Sequence, residues 1–173
     1  SRLILQNADH VTPTLRPHAL EERWILARID SVRAEVEEAW GRFDFSTATN
    51  ALYHLTFDDF CDWYAEAIKP RLYDHEKDAT ATALAALERL LALLHPVVPH
   101  VTEEIWSHLP NRRARLIVSP WPEPDPAHAD ALGALDRVQA AAQTFRRSAG
   151  VVELESDDER RIFQAVVRPE RHK

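Results

Sequence analysis

An all-α bundle of four to five helices is the fold class this sequence predicts, and three observations carry the prediction. Apolar residues recur at steps of three and four in successive stretches, the spacing that gives a helix one apolar stripe. Only 3 of the 173 residues are glycine, which leaves little for tight β-turns or phosphate loops. A composition of 45 % hydrophobic and 28 % charged residues supports a packed core and excludes a disordered chain.

Residues 1–18 hold Pro13 and Pro17 and little periodicity after Leu3-Ile4-Leu5, so they read as the end of a preceding region followed by a loop. From Ala19 the period is helical. Ile25, Ile29, Val32, Val36 and Trp40 form one stripe, Arg33, Glu37 and Glu38 lie off it, and Gly41 is placed to end the helix. A second helix is expected to start near Ser46 and to carry Ala48, Leu52, Leu55, Phe60 and Trp63 inward. Pro70 is expected to stop or kink it near Ile68–Lys69. A third covers about Thr80 to Leu94, with Leu84, Leu87, Leu91 and Leu94 as its seam and Leu90 and Leu93 widening it.

Pro96 and Pro99 then break the chain, and Thr102 is placed to cap a short helix that buries Ile105, Trp106 and Leu109. A proline-rich arm follows over 110–126. Leu116–Ser119 is its candidate edge strand and Trp121 its anchor on the bundle. The last helix is expected from about Ala127 to Ser148, with Leu132, Leu135, Val138, Ala142 and Phe145 inside and Gly150 as its stop. Residues 151–173 are rich in β-branched and aromatic side chains around Ser156–Glu159, which predicts a short C-terminal β-hairpin opening a truncated appendage. The domain reading is therefore 1–18, 19–150 and 151–173.

Several functional classes are excluded or disfavoured. No uncharged apolar run approaches the roughly 20 residues that span a bilayer, so no membrane partner is expected. The lone Cys61 cannot form an internal disulfide or a cysteine-rich zinc site and reads as a packing residue. With no signal-peptide pattern, a reducing cytoplasm is the expected location. The chain starts at Ser1 and has no methionine, which fits an excised fragment and equally an initiator removed before a small residue. Phosphate-loop, dinucleotide, nucleophile-elbow and zinc-protease motifs are absent. His100, Glu104 and His108 share a spacing of four, but ligands stacked over two turns span about 12 Å, too far for one ion, so no metal site is assigned. Asp58, Asp59 and Asp62 with His54 read as a solvated face holding a His–Asp pair, and no catalytic residue emerges.

A net charge of −7 weighs against a nucleic-acid partner, yet binding is local. Basic residues gather as Arg112, Arg113 and Arg115, as Lys69 and Arg71, and as Arg146 and Arg147. The aromatic set Tyr53, Phe57, Phe60, Trp63 and Tyr64, followed by Lys69 and Arg71, is the most suggestive stretch. Rings stack on unpaired bases and nearby cations hold phosphates, although several of five aromatics at helical spacing must face the core.

That stretch also carries a resemblance. The run from Phe57 to Leu72, with Phe60-Cys61-Asp62-Trp63-Tyr64 at its centre and Lys69-Pro70-Arg71-Leu72 at its end, resembles the anticodon-binding domain of class I aminoacyl-tRNA synthetases. Within that class it is most similar to the valine enzymes. A second block from Leu93 to Trp106 is similar to the family's HP-x-x-P-x-x-TEE-[IL]-W segment, and Val118-Ser119-Pro120-Trp121-Pro122-Glu123 resembles the WP arm after it. Arg23-Trp24-Ile25-Leu26 and Asp44 to Tyr53 also fit, so the resemblance covers roughly residues 20–150. Asn7-Ala8-Asp9-His10-Val11 matches only loosely the N-A-x-R-F-V run that closes the family's catalytic part. The HIGH-like and KMSKS-like motifs, the Rossmann and editing domains and the C-terminal coiled coil are absent.

The resemblance implies a non-catalytic domain of a valine–tRNA ligase that receives the anticodon stem-loop of tRNA(Val). Its second partner is the catalytic domain of the same synthetase, where ATP and Mg²⁺ act. This chain carries no cofactor of its own. On that reading Lys69 and Arg71 contact phosphate or a neighbouring domain, Tyr53, Phe57 and Tyr64 stack on bases, and Arg112, Arg113 and Arg115 touch the RNA backbone, while Trp63, Trp106 and Trp121 are structural. The competing reading is a helical protein-interaction scaffold that no longer binds tRNA. A shared face for Lys69, Arg71 and the Arg112–Arg115 cluster favours RNA, and carboxylates around each cation favour the scaffold.

Overall fold

The computed structural model describes residues 2–8, 11–110, 114–148 and 153–167, and among these only helices and loops occur. Helix α1 (Arg2–Gln6) lies on the bundle through Ile4. Helix α2 (Leu20–Gly41) is its axis. Ile25, Ile29, Val32 and Val36 are essentially fully buried on the expected stripe, each contributing about 1.5–3 kcal/mol of apolar burial. Arg33, expected off the stripe, is buried as well. It is held between Asp30 at 3.0 Å and Glu37 at 2.6 Å, so its guanidinium is neutralised where it lies.

The second predicted helix is a continuous rod in three parts: α3 (Phe45–His54), a π-helical segment (Leu55–Tyr64) and α4 (Ala65–Tyr73). Its N-cap is Asp44, not Ser46; the Asp44 carboxylate accepts from the Thr47 N–H at 3.0 Å. Pro70 does not end it. Ala67, Ile68 and Leu72 are all fully buried, and that packing holds the turn around the missing amide donor. Cys61, expected in the packing, sits on the outer side of the π-helical segment and is exposed.

Helix α5 (Lys77–Leu94) is buried at every residue from Ala79 to Leu87, the signature of a helix enclosed on all sides. Helix α6 (Pro99–Ser107) begins at Pro99, where a missing N–H costs nothing. Thr102 is therefore inside it rather than at its cap. The Thr102 hydroxyl is buried, bonds back to the carbonyls of Val98 and Pro99, and meets His95 Nδ1 at 2.8 Å.

The arm has no strand at Leu116–Ser119. Leu116–Val118 is a 3₁₀ turn whose Leu116 and Ile117 amides donate to the Glu103 carboxylate at 3.0 and 3.3 Å, in place of a strand partner. Trp121 anchors the arm as expected. Its ring lies 5.5 Å from Trp40 and its Nε1 donates to Glu37 at 2.6 Å. The last predicted helix is divided: Pro126–Ala131 is a 3₁₀ turn and α7 (Asp136–Ser148) starts only after Gly133. Gly150 and the start of the expected hairpin at 151–152 lie outside the described residues.

The hairpin itself is replaced by helix α8 (Asp157–Val167). The Ser156 hydroxyl accepts from the Glu159 N–H at 3.1 Å, and the Glu159 carboxylate accepts from the amides of Glu155 and Ser156 at 2.8 and 3.2 Å. This reciprocal cap, with three acids in the first turn and Ile162 and Val166 on one buried face, outweighs the β propensity of the segment. Helix α8 packs on α4 and α7, so residues 157–167 belong to the bundle rather than to an appendage. A buried charge cluster ties it there. Arg161 makes two contacts with Glu21 at 2.9 and 2.8 Å, and Arg71 from α4 reaches Glu21, Glu22 and Glu76. Glu21 and Glu22 are fully buried, so these cations are their compensation.

Candidate nucleic-acid interface

The tight corner between α2 and α3 is built on an unusual residue. Phe43 has φ 59°, the left-handed region that a bulky side chain rarely occupies. Two hydrogen bonds fix it there: the Phe43 N–H donates to the Trp40 carbonyl and the Asp44 N–H to the Ala39 carbonyl, both at 2.9 Å. This is the 6→1 and 5→2 pattern that usually closes a helix on glycine. Gly41, expected to be the stop, lies instead within the last turn of α2, and Phe43 takes the left-handed position.

The strain presents an aromatic surface. Phe43 is 79 % exposed and Phe45 61 %, with ring centroids 6.4 Å apart in an edge-to-face pair. From Phe45 the outer face of α3 continues at steps of four through Thr49 and Tyr53 to Phe57 in the π-helical segment, all exposed. Tyr53 and Phe57 lie 4.6 Å apart, their planes inclined by 38°, and the His54 ring meets Tyr53 edge-on at 5.7 Å. Asn50 adds an exposed amide beside the Thr49 hydroxyl. Polar groups on the strip are locally paired: His54 Nδ1 contacts Asp58 at 2.7 Å, and Arg42 at the corner contacts Glu38 at 2.6 Å. A face of exposed rings with a hydroxyl and an amide between them can stack on unpaired bases and bond their edges.

The predicted site residues separate into three groups. Tyr53 and Phe57 are together on the strip. Tyr64 is not: its ring is fully buried, 5.5 Å from Phe60, and unavailable for stacking. Burial first, and then the Glu22 and Glu21 carboxylates, push its hydroxyl well above the ordinary tyrosine range. The aromatic period alone did not separate this ring from its surface neighbours, because the π-helical segment shifts the register between Phe57 and Tyr64.

The cations divide in the same way. Lys69 is half-buried and held by both carboxylate oxygens of Glu66, at 2.7 and 2.9 Å. Arg71 is an internal tie among three carboxylates. Although burial opposes its charge, those carboxylates raise its pKa, so it stays charged and occupied and is not placed to meet a phosphate. Arg115 is exposed on the arm, and Arg112 and Arg113 lie outside the described residues. Trp63 and Trp121 pack against the core, and Trp106 is buried with its Nε1 donating to the Ala114 carbonyl at 3.1 Å, as structural residues should. Among the described residues no group of three or more His, Cys, Asp or Glu side chains converges as a metal site. No helix there is long and apolar enough to cross a membrane.

Sequence reasoning missed Phe43 and Phe45. The signal was present: two phenylalanines flank Asp44, an acid placed to cap the next helix, close behind Gly41. A turn that places phenylalanine where polar residues are usual is marking a surface.

Comparison with known proteins agrees with this architecture. The sequence model of a family described as the anticodon-binding domain of tRNA ligase matches residues 22–164. The chain is 40 % identical to the valine–tRNA ligase of Mycobacterium leprae over 160 residues, covering 88 % of this chain and 18 % of that protein. It is 41 % identical to the valine–tRNA ligase of Gloeobacter violaceus over 132 residues, 70 % of this chain and 15 % of that protein. Against the valine–tRNA ligase of Deinococcus radiodurans the identity is 40 % over 129 residues, 73 % of this chain and 14 % of that protein. The chain thus spans less than a fifth of the length of these relatives.

Proposed function

The chain belongs to the family of anticodon-binding domains of tRNA ligases, and from that premise we propose that it receives the anticodon stem-loop of tRNA(Val) as the non-catalytic part of a valine–tRNA ligase. The observation that carries the reading is the exposed strip from Phe43 to Phe57, including an aromatic held in a strained conformation at its end. Unpaired anticodon bases stack on these rings, and Thr49 and Asn50 bond base edges. Adenylation and aminoacyl transfer, with their ATP and Mg²⁺, belong to a catalytic part of such an enzyme in the cytoplasm, which is the second partner of this domain.

Replacing Tyr53 and Phe57 singly by Ala tests the reading. Each is half exposed and outside the core, so the loss in stability should be small, and affinity for a stem-loop carrying a valine anticodon should fall by about 1–3 kcal/mol per lost stack. Equal affinity of wild type and both variants, measured by fluorescence anisotropy, contradicts it.

A further inference from the structure

A second surface lies at the other end of α2, about 30 Å from the aromatic corner along a helix of 22 residues. There the 11–18 loop and the first turns of α5 enclose a cleft of about 390 Å³. Arg16 and His18 line it from the loop, Lys77 from α5, and Asp78 is the one carboxylate among its described lining residues. Most described cations of this acidic domain are held by carboxylates, but Arg16 and Lys77 have no carboxylate partner among the described residues.

Both walls are braced from inside. The Glu22 carboxylate accepts from the His18 and Ala19 amides at 2.8 and 3.2 Å, which sets the end of the loop. Glu76, immediately before Lys77, accepts from Arg71 Nε at 2.7 Å, and Arg71 also contacts Glu22. One largely buried guanidinium therefore ties the two walls together and occupies Glu22 and Glu76. The Thr14 N–H donates to the Ala81 carbonyl at 3.2 Å and pins the middle of the loop to α5. The result is a braced cleft with a cation without a carboxylate partner on each wall, chemistry that suits an anion with several acceptor oxygens.

We propose that this cleft binds a phosphate group of the tRNA backbone, with Arg16 and Lys77 as its ligands and Arg71 as the residue that positions them. The proposal rests on the RNA reading above and adds a contact remote from the anticodon strip. Phosphate contacts of this kind fix register and supply salt-dependent affinity without reading sequence.

The test uses the full chain and an in vitro transcript of a whole tRNA with a valine anticodon. The double variant Arg16→Ala/Lys77→Ala should bind more weakly and lower the slope of log affinity on log salt by about 2, one for each cation removed. Asp78→Asn should strengthen binding, and Arg146→Ala/Arg147→Ala, a matched loss of charge on α7, should leave it nearly unchanged. If wild type binds the transcript and the Arg16/Lys77 variant keeps its affinity and slope, the cleft is not an RNA contact and the RNA reading stands. An equal loss from the Arg146/Arg147 variant reduces the effect to overall charge and also overturns the cleft. No binding of wild type at low salt overturns both the cleft and the RNA reading. A parallel titration with inorganic phosphate, followed by amide shifts, separates sources: shifts at the cleft without any effect of the double variant on RNA assign it to a free anion and overturn the RNA contact.

Discussion

At the scale of single residues, Phe43 and Arg71 are the informative pair. Phe43 occupies a backbone position where glycine has no steric cost, and its ring is mostly in solvent with only the exposed Phe45 ring against it, so the fold gains little from the phenylalanine. Phe43→Gly should therefore raise stability by up to about 1 kcal/mol, read as a higher urea midpoint, while weakening stem-loop binding. A variant that loses stability, or one that binds unchanged, removes the case for strain kept on behalf of a ligand. Arg71 shows the opposite limit of sequence reading. A basic residue after an aromatic helix looks like a phosphate ligand, but its partners Glu21 and Glu22 lie about fifty positions earlier, and local spacing does not register a pairing that only the tertiary fold makes.

At the scale of elements, α8 has its own electrostatic signature. Burial alone would raise the Glu159 carboxyl, but the amides of Ser156 and Glu155 and the Arg137 guanidinium hold it below the ordinary carboxylate range. A carboxylate depressed in the folded state contributes stability that is complete above its unfolded pKa of about 4.3 and is lost as the pH falls below that value toward the folded one. Wild type should therefore be more stable than Glu159→Gln at about pH 6, and the gap should close as the pH falls through the range below about 4.3. Urea unfolding at several pH values measures it, and a gap independent of pH contradicts the assignment. Most elements were legible in the sequence. The stripe of α2 and the leucine-rich α5 follow from spacing, and the Trp121 anchor from a tryptophan standing in a proline-rich arm. Helix α8 was misread because its β-branched residues were weighed by propensity, while the Ser156/Glu159 cap decided the outcome. The 3₁₀ turn at Pro126–Ala131 packs on α2 and that at Leu116 is held by Glu103, contacts which no local pattern contains.

At the scale of the whole molecule, the axis α2 separates two surfaces of different chemistry. At its C-terminal end lie the exposed rings, with cations paired to carboxylates, and at its N-terminal end lie unpaired cations over a braced cleft. An acidic domain can engage a polyanion in this way, because binding follows the local potential and not the net charge of −7, and two of the described cations without a carboxylate partner line one cleft. Of the predicted site, Tyr53 and Phe57 were legible as surface aromatics. Tyr64 and the corner at Phe43 were not, since a π-helical shift and a left-handed turn decide which rings leave the core. The most direct measurement is a salt titration of binding to two labelled stem-loops, one with a valine anticodon and one with that anticodon scrambled. Tighter binding of the valine stem-loop, with both affinities falling as salt rises, is the predicted result. Equal affinity for the two stem-loops, or no binding to either at low salt, contradicts recognition of the anticodon by this domain.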